Sequence, residues 1–289
     1  MLQDILVTGL VNGGVYALLA VGFSLIFGVA RIVNIAHTAF YMLAAYCFYT
    51  LLAKTGLGFV LSAIVAVAAV TLLSVICYRL VIEPVREHEA AVLIATIALA
   101  LIFQELMLFT FGGHFLGIPS TLDGAVRLLG VSIPYQRLLI LVVAAAMLLL
   151  VWFVLYRTRF GLAVRASPNE LEVAYPMGMN RKRVAMATVA LSVALASVAG
   201  VVVAPVFVVD PFMWLSPLVT MLAIVVRGGL GGLKGSLIGA LIIGYVEAIT
   251  VFAVPAGAYL KGAAALVIMV AVLLARPEGL FGVAFEEER

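Results

Sequence analysis

The chain has 289 residues, of which 66% are hydrophobic and 11% charged, with mean hydropathy +1.27 and a formal net charge of +3. Soluble domains carry about a quarter charged residues, so a soluble globular protein is excluded, and so small a positive balance gives no reason to expect a nucleic-acid partner. At roughly 20 apolar residues per crossing there is room for eight to ten membrane helices and little else, and backbone polar groups in lipid must be satisfied within each segment. The expected fold is all-α, a polytopic bundle forming a single transmembrane domain over 1–289.

In chain order the apolar runs predict spans at 6–29, 38–53, 58–78, 90–111, 138–156, 184–204, 214–226, 235–254 and 258–275. The start, MLQD, has no basic leader region, so the first run is expected to be a retained helix. Asn12 lies within it, and Gly9, Gly13 and Ala17 repeat every four residues, a spacing that lets two backbones approach closely in lipid. Asn34 and His37 stand where the second span begins. Asn34 is a candidate helix cap, and His37 is placed at a membrane interface. Cys47 and Cys77 both sit in apolar runs, without loop-disulfide or metal-ligand spacing. The fourth span carries Glu105. After it comes the 112–137 connection, punctuated by Gly112-Gly113, Pro119 and Pro134, the longest loop on its side.

Arg157–Arg183 is the longest polar interruption and holds six of the 17 Lys+Arg. Within it, Ser167-Pro168-Asn169-Glu170 reads as a capping box with proline at the first helical position, and Gly178 supplies a left-handed end. Leu171, Ala174, Tyr175 and Gly178 fall at i, i+3, i+4 and i+7, a small apolar face on a polar loop. Two readings stay open: a docking helix for a partner outside the bilayer, or a basic loop held by lipid headgroups. Pro176 removes a donor near the end of that helix.

The seventh run, 214–226, has 13 residues and contains Pro217, so it either spans with help from 206–209 or forms a half-helix or re-entrant segment. Gly231, Gly235 and Gly239 lead into the eighth span and Ala240 with Gly244 continue the pattern; Glu247 lies near its middle. The glycine run 228–236 is no phosphate loop, since Leu233 and Gly235 flank Lys234 where glycine and Ser/Thr are required. His-Glu-x-x-His and Gly-x-Ser-x-Gly patterns are absent too, so no enzyme constellation emerges.

With the 157–183 loop in the cytoplasm, 13 of the 17 Lys+Arg lie inside and Lys54, Arg127, Arg137 and Lys261 outside. The positive-inside rule then puts the N-terminus out, the C-terminus in and 112–137 outside. Asn12, Asn34, His37, Glu105 and Glu247 are candidates for a polar path or for interhelical hydrogen bonds. Three functional classes fit: a transport subunit driven from elsewhere, an ion-coupled secondary carrier, and a membrane scaffold.

Ordered motifs add a resemblance. Asn12-Gly13-Gly14-x-Tyr16-Ala17-Leu18, Gly22, Phe27-Gly28-Val29 and Asn34-x-Ala36-His37 come first. Gly161-Leu162-Ala163-x-Arg165-Ala166, Asn169 and Gly178-Met179-Asn180 follow, then Gly228-Gly229-Leu230-Gly231, Gly235, Glu247 and Arg276-Pro277-Glu278-Gly279-Leu280-Phe281-Gly282. In this order the sequence resembles, essentially end to end, the permease subunits of bacterial ABC importers for branched-chain amino acids, and its length is similar to the shorter of the paired permeases. The resemblance implies that the capped segment Ser167–Gly178 is a coupling helix seated on an ATPase subunit. It implies a second permease, two ABC ATPase subunits that bind the ATP, a periplasmic amino-acid-binding protein, and an inner-membrane location; no cofactor belongs to this chain itself. Thr38, Ala45, Ser197 and Tyr175-Pro176 depart from the family's usual residues.

Overall fold

A computed structural model describes residues 1–119, 124–128, 131–166, 181–229 and 231–275. The described residues form ten α-helices: α1 Leu2–Ala30, α2 His37–Thr55, α3 Phe59–Cys77, α4 Glu89–Phe111, α5 Tyr135–Arg157, α6 Arg159–Ala166, α7 Arg181–Val203, α8 Leu215–Gly228, α9 Leu233–Ala253 and α10 Gly257–Ala275. Each of the nine predicted spans coincides with one of them. Among the described residues six helical runs are long and apolar enough to cross a membrane: α1, 59–85, α4, α5, α7 and α9. The chain is thus a polytopic helical bundle.

Two features depart from the spans read off the sequence. The connection 112–137 contains an antiparallel hairpin, β1 Ala125–Leu128 paired with β2 Val131–Pro134, in the register Ala125↔Pro134 to Leu128↔Val131. Its strands are four residues each, too short for an alternating pattern to stand out among apolar runs. The same connection is tied to the segment after α7, where the Leu116 and Val209 amides exchange hydrogen bonds of 3.0 Å. Second, α3 does not end cleanly. It passes into a π-helical turn at Tyr78–Ile82 and a 3₁₀ turn at Glu83–Val85, where Pro84 denies the ladder a donor.

α8, at 14 residues, is about 21 Å long and falls short of a hydrocarbon core of about 30 Å. Pro217 sits in its first turn, where a missing N–H leaves no bond unmade.

Burial explains the arrangement. α1 is apolar all round, and from Val15 to Ile26 every residue is buried, so it runs through the centre of the bundle. It packs most extensively on α9, then on α7 and α5. A second core forms around α2, covered by α3, α4 and α7, with Tyr46, Phe48, Phe40 and Met42 fully buried. α7 joins the two. Because lipid is as apolar as the side chains, such helices are held by close packing and interhelical hydrogen bonds. The polar seams between helices therefore matter most.

Candidate translocation and coupling elements

The α1–α9 seam is built on glycine. A Cβ at Gly244 would strike the Gly13 backbone, falling 2.6 Å from Gly13 Cα and 2.6 Å from Gly9 O. One at Gly13 would stand 3.2 Å from Leu241 Cα, and one at Gly9 would run into the Tyr245 ring. Further along, Gly239 leans on Ile224 of α8, and Gly235 lies against Gly228 so closely that a Cβ on either would meet backbone of the other. Gly231 holds φ +85°, a left-handed conformation open to glycine, and it approaches Gly28 near the end of α1.

With backbones this close, short polar side chains can reach across. The Tyr16 hydroxyl donates to Glu247 Oε2 at 2.7 Å, and Glu247 is only 1% exposed. Thr220 of α8 is buried and interacts with both. Nearer the far end of α1, the Ser24 and Ser236 hydroxyls share a hydrogen bond of 2.5 Å, and Ser236 Oγ lies 3.0 Å from Gly232 O. These serines carry no sequence signal of their own, because isolated serines are common in apolar helices.

A second polar node joins α1, α2 and α7. His37 Nε2 donates to Leu19 O at 3.2 Å; Ser192 Oγ donates to Gly22 O at 2.5 Å and stands 3.4 Å from His37 Nδ1. Leu19 lies eleven residues before the end of α1, about 16 Å along its axis. The chain from Arg31 to Ala36 therefore folds back into the bundle before α2 begins. His37, expected at a membrane interface, is fully buried inside the protein between α1 and α7. Asn34 does not cap α2 through its side chain either: the cap position is Ala36, and both side-chain amide atoms of Asn34 are buried without a hydrogen-bond partner. Its backbone oxygen accepts instead, from His37 N at 3.2 Å.

On α4 Gln104, one residue before the expected Glu105, is a buried polar group with a partner on another element. Trp214 Nε1 donates to Gln104 Oε1 at 3.0 Å, and Gln104 Nε2 lies 3.3 Å from Glu105 Oε1. Glu105 itself is on the outer, exposed face of α4, and Asn12 is half-buried on α1.

The coupling face read at Ser167, Pro168, Asn169, Glu170, Leu171, Ala174, Tyr175 and Gly178 lies outside the described residues. Its two flanks are described. On the entry side α5 breaks at Thr158, whose hydroxyl accepts from Gly161 N at 3.1 Å, and α6 follows as an eight-residue helix that the sequence reading left as loop. Arg165 of α6 covers the Tyr156 ring at 4.8 Å. On the exit side Lys182 Nζ stands 3.5 Å from Glu83 Oε1, which also holds Arg86 at 3.3 Å. Both described flanks of the segment thus make contacts with the bundle.

Long apolar helices, glycine seams and buried interhelical hydrogen bonds define an integral membrane protein of the helical-bundle type. The sequence profile described as "Branched-chain amino acid transport system / permease component" matches residues 5–275, and the chain belongs to that family. Among curated relatives it is 29% identical to the high-affinity branched-chain amino acid transport system permease protein LivH of Escherichia coli K12, covering 95% of this chain and 93% of that one. It is also 29% identical to the corresponding protein BraD of Pseudomonas aeruginosa, over 96% and 94%, and to a probable branched-chain amino acid transport permease protein LivH of Methanocaldococcus jannaschii, over 98% and 93%. The fold is similar to a chain in the solved structure of PsaBC from Streptococcus pneumoniae in complex with Fab. There the TM-score is 0.53 at 16% identity, over 93% of this chain and 91% of that one. These findings favour an ATP-driven permease over an ion-coupled carrier.

Proposed function

We propose that this chain is the membrane subunit of an ATP-driven importer for branched-chain or related amino acids. It forms the translocation path beside a second permease and does no chemistry on its cargo. ATP is bound by two separate ATPase subunits, and a periplasmic binding protein delivers the amino acid. The observation that carries this reading is the family match over nearly the whole chain, residues 5–275.

The N-terminus faces outward and the C-terminus the cytoplasm, a reading supported by the distribution of Lys and Arg. Closure of the ATPase dimer on ATP moves the segment 157–183, and the bundle rocks between outward- and inward-facing states. Contacts of both flanks with the bundle, Arg165–Tyr156 and Lys182–Glu83, support a lever of this kind. A path without a concentrated charge suits cargo whose affinity is supplied by the binding protein. Co-purification from native membranes in mild detergent tests the assembly. Near-stoichiometric recovery of an ATPase and a second permease is expected; a lone chain or homo-oligomer, under conditions that keep other complexes intact, overturns it.

A further inference from the structure

A cavity of about 120 Å³ opens where the end of α1, the irregular turn after α3 and the start of α7 meet. One wall is apolar and made of small or branched side chains: Val29, Ala30, Ile32 and Ala185. The other presents Tyr78 and two opposite charges, Arg86 and Glu87. Beside it, Glu83 uses Oε1 for Arg86 and Lys182, while its Oε2 is buried without a hydrogen-bond partner. A cavity of about 150 Å³ with apolar walls takes up benzene, so this one has room for a compact molecule whose polar end stays at the mouth.

We propose that this cavity binds a free amino acid with a short branched side chain. Such a ligand matches each wall. Its alkyl group removes apolar surface from water against Val29, Ala30, Ile32 and Ala185. Its carboxylate takes the Arg86 guanidinium, and its ammonium takes the Glu87 carboxylate. Charge-assisted bonds of this type are the strong ones, and both charges of the ligand are answered at once. Arg86 already pairs with Glu83 at 3.3 Å, so the ligand's carboxylate shares the guanidinium with Glu83, while its ammonium supplies a counter-charge for Glu87.

The inference rests on the proposed function in one respect: the cavity is lined by Ala185 at the start of α7, which that reading places on the cytoplasmic side, where imported product accumulates. Occupied, it wedges together the three elements beside the coupling segment. The imported amino acid thereby slows its own import.

The test is equilibrium binding of radiolabelled L-leucine to the purified chain in detergent, without ATPase or binding protein. Arg86→Gln and, separately, Ala185→Phe, which fills the cavity, should each weaken binding at least about tenfold, the effect of losing one charge-assisted contact or the apolar wall. Arg86→Gln changes a partly exposed side chain, so it stays informative if Ala185→Phe fails to fold. 4-Methylpentanoate, lacking the ammonium, and 3-methylbutylamine, lacking the carboxylate, should compete poorly. Leucine binding unchanged in Arg86→Gln, or no binding to the wild-type chain at millimolar leucine, overturns the proposal. Leucine uptake by the complete importer is measured alongside: uptake without binding defeats only the cavity, whereas no uptake defeats the transport reading itself.

Discussion

Tyr16 and Glu247 meet across the α1–α9 seam at 2.7 Å, 231 residues apart in sequence and buried on both sides. One hydrogen bond thus ties the central helix to the ninth at a depth where water cannot replace it. If hydrogen bonding is the role of Glu247, glutamine serves as well: Glu247→Gln is expected to retain uptake and to melt near the wild-type temperature in detergent. Tyr16→Phe leaves the Glu247 oxygen short of a donor and should cost about 1–3 kcal/mol. In the double variant Tyr16→Phe/Glu247→Leu the two losses should not add, because they remove the same bond.

The glycines of that seam give a sharper contrast. Gly244→Ala puts a Cβ into the Gly13 backbone, whereas Gly262 on α10 has nothing within 4 Å of the corresponding position. Gly244→Ala should lower stability by about 1–3 kcal/mol or prevent insertion, as overpacking does in a dense core. Gly262→Ala should be neutral or slightly stabilising through its better helix propensity. Thermal melts of the two variants side by side decide the matter.

Trp214→Phe keeps an aromatic ring but loses part of the buried indole, and it removes the donor to Gln104 Oε1, leaving a buried amide oxygen without its partner. A loss of about 1–2 kcal/mol is expected. Gln104→Leu on the Trp214→Phe background should recover part of it, and unfolding monitored for all three variants completes the cycle.

The fold was legible in the sequence to the extent that lipid dictates it. Every apolar run long enough to be noticed became a helix, with ends displaced by four residues at most, as at Leu2 against 6. Two kinds of feature escaped. The 125–134 hairpin and α6 are too short for periodicity to register. The buried start of α2 was hidden because Arg31–Ala36 reads as an ordinary loop; only its return toward Leu19 O shows that His37 lies inside the bundle. At the candidate sites, residue type guided attention toward the acids. Glu247 has a buried partner, but Gln104 makes the buried bond that Glu105 was considered for, and Ser24, Ser192 and Ser236 gave no signal. What decides such roles is which face of a helix meets a neighbour, and a helix apolar on all sides does not reveal that face.

The central claim is that the segment 157–183 lies in the cytoplasm and couples this bundle to an ATPase, and the Leu171→Asp variant tests it most directly. Wild-type and variant importers are reconstituted in liposomes with ATP on the cytoplasmic side, and leucine uptake is measured at equal insertion. A charge on the docking face should abolish ATP-dependent uptake in the variant while the protein still assembles in the membrane. Uptake equal to wild type would contradict the account.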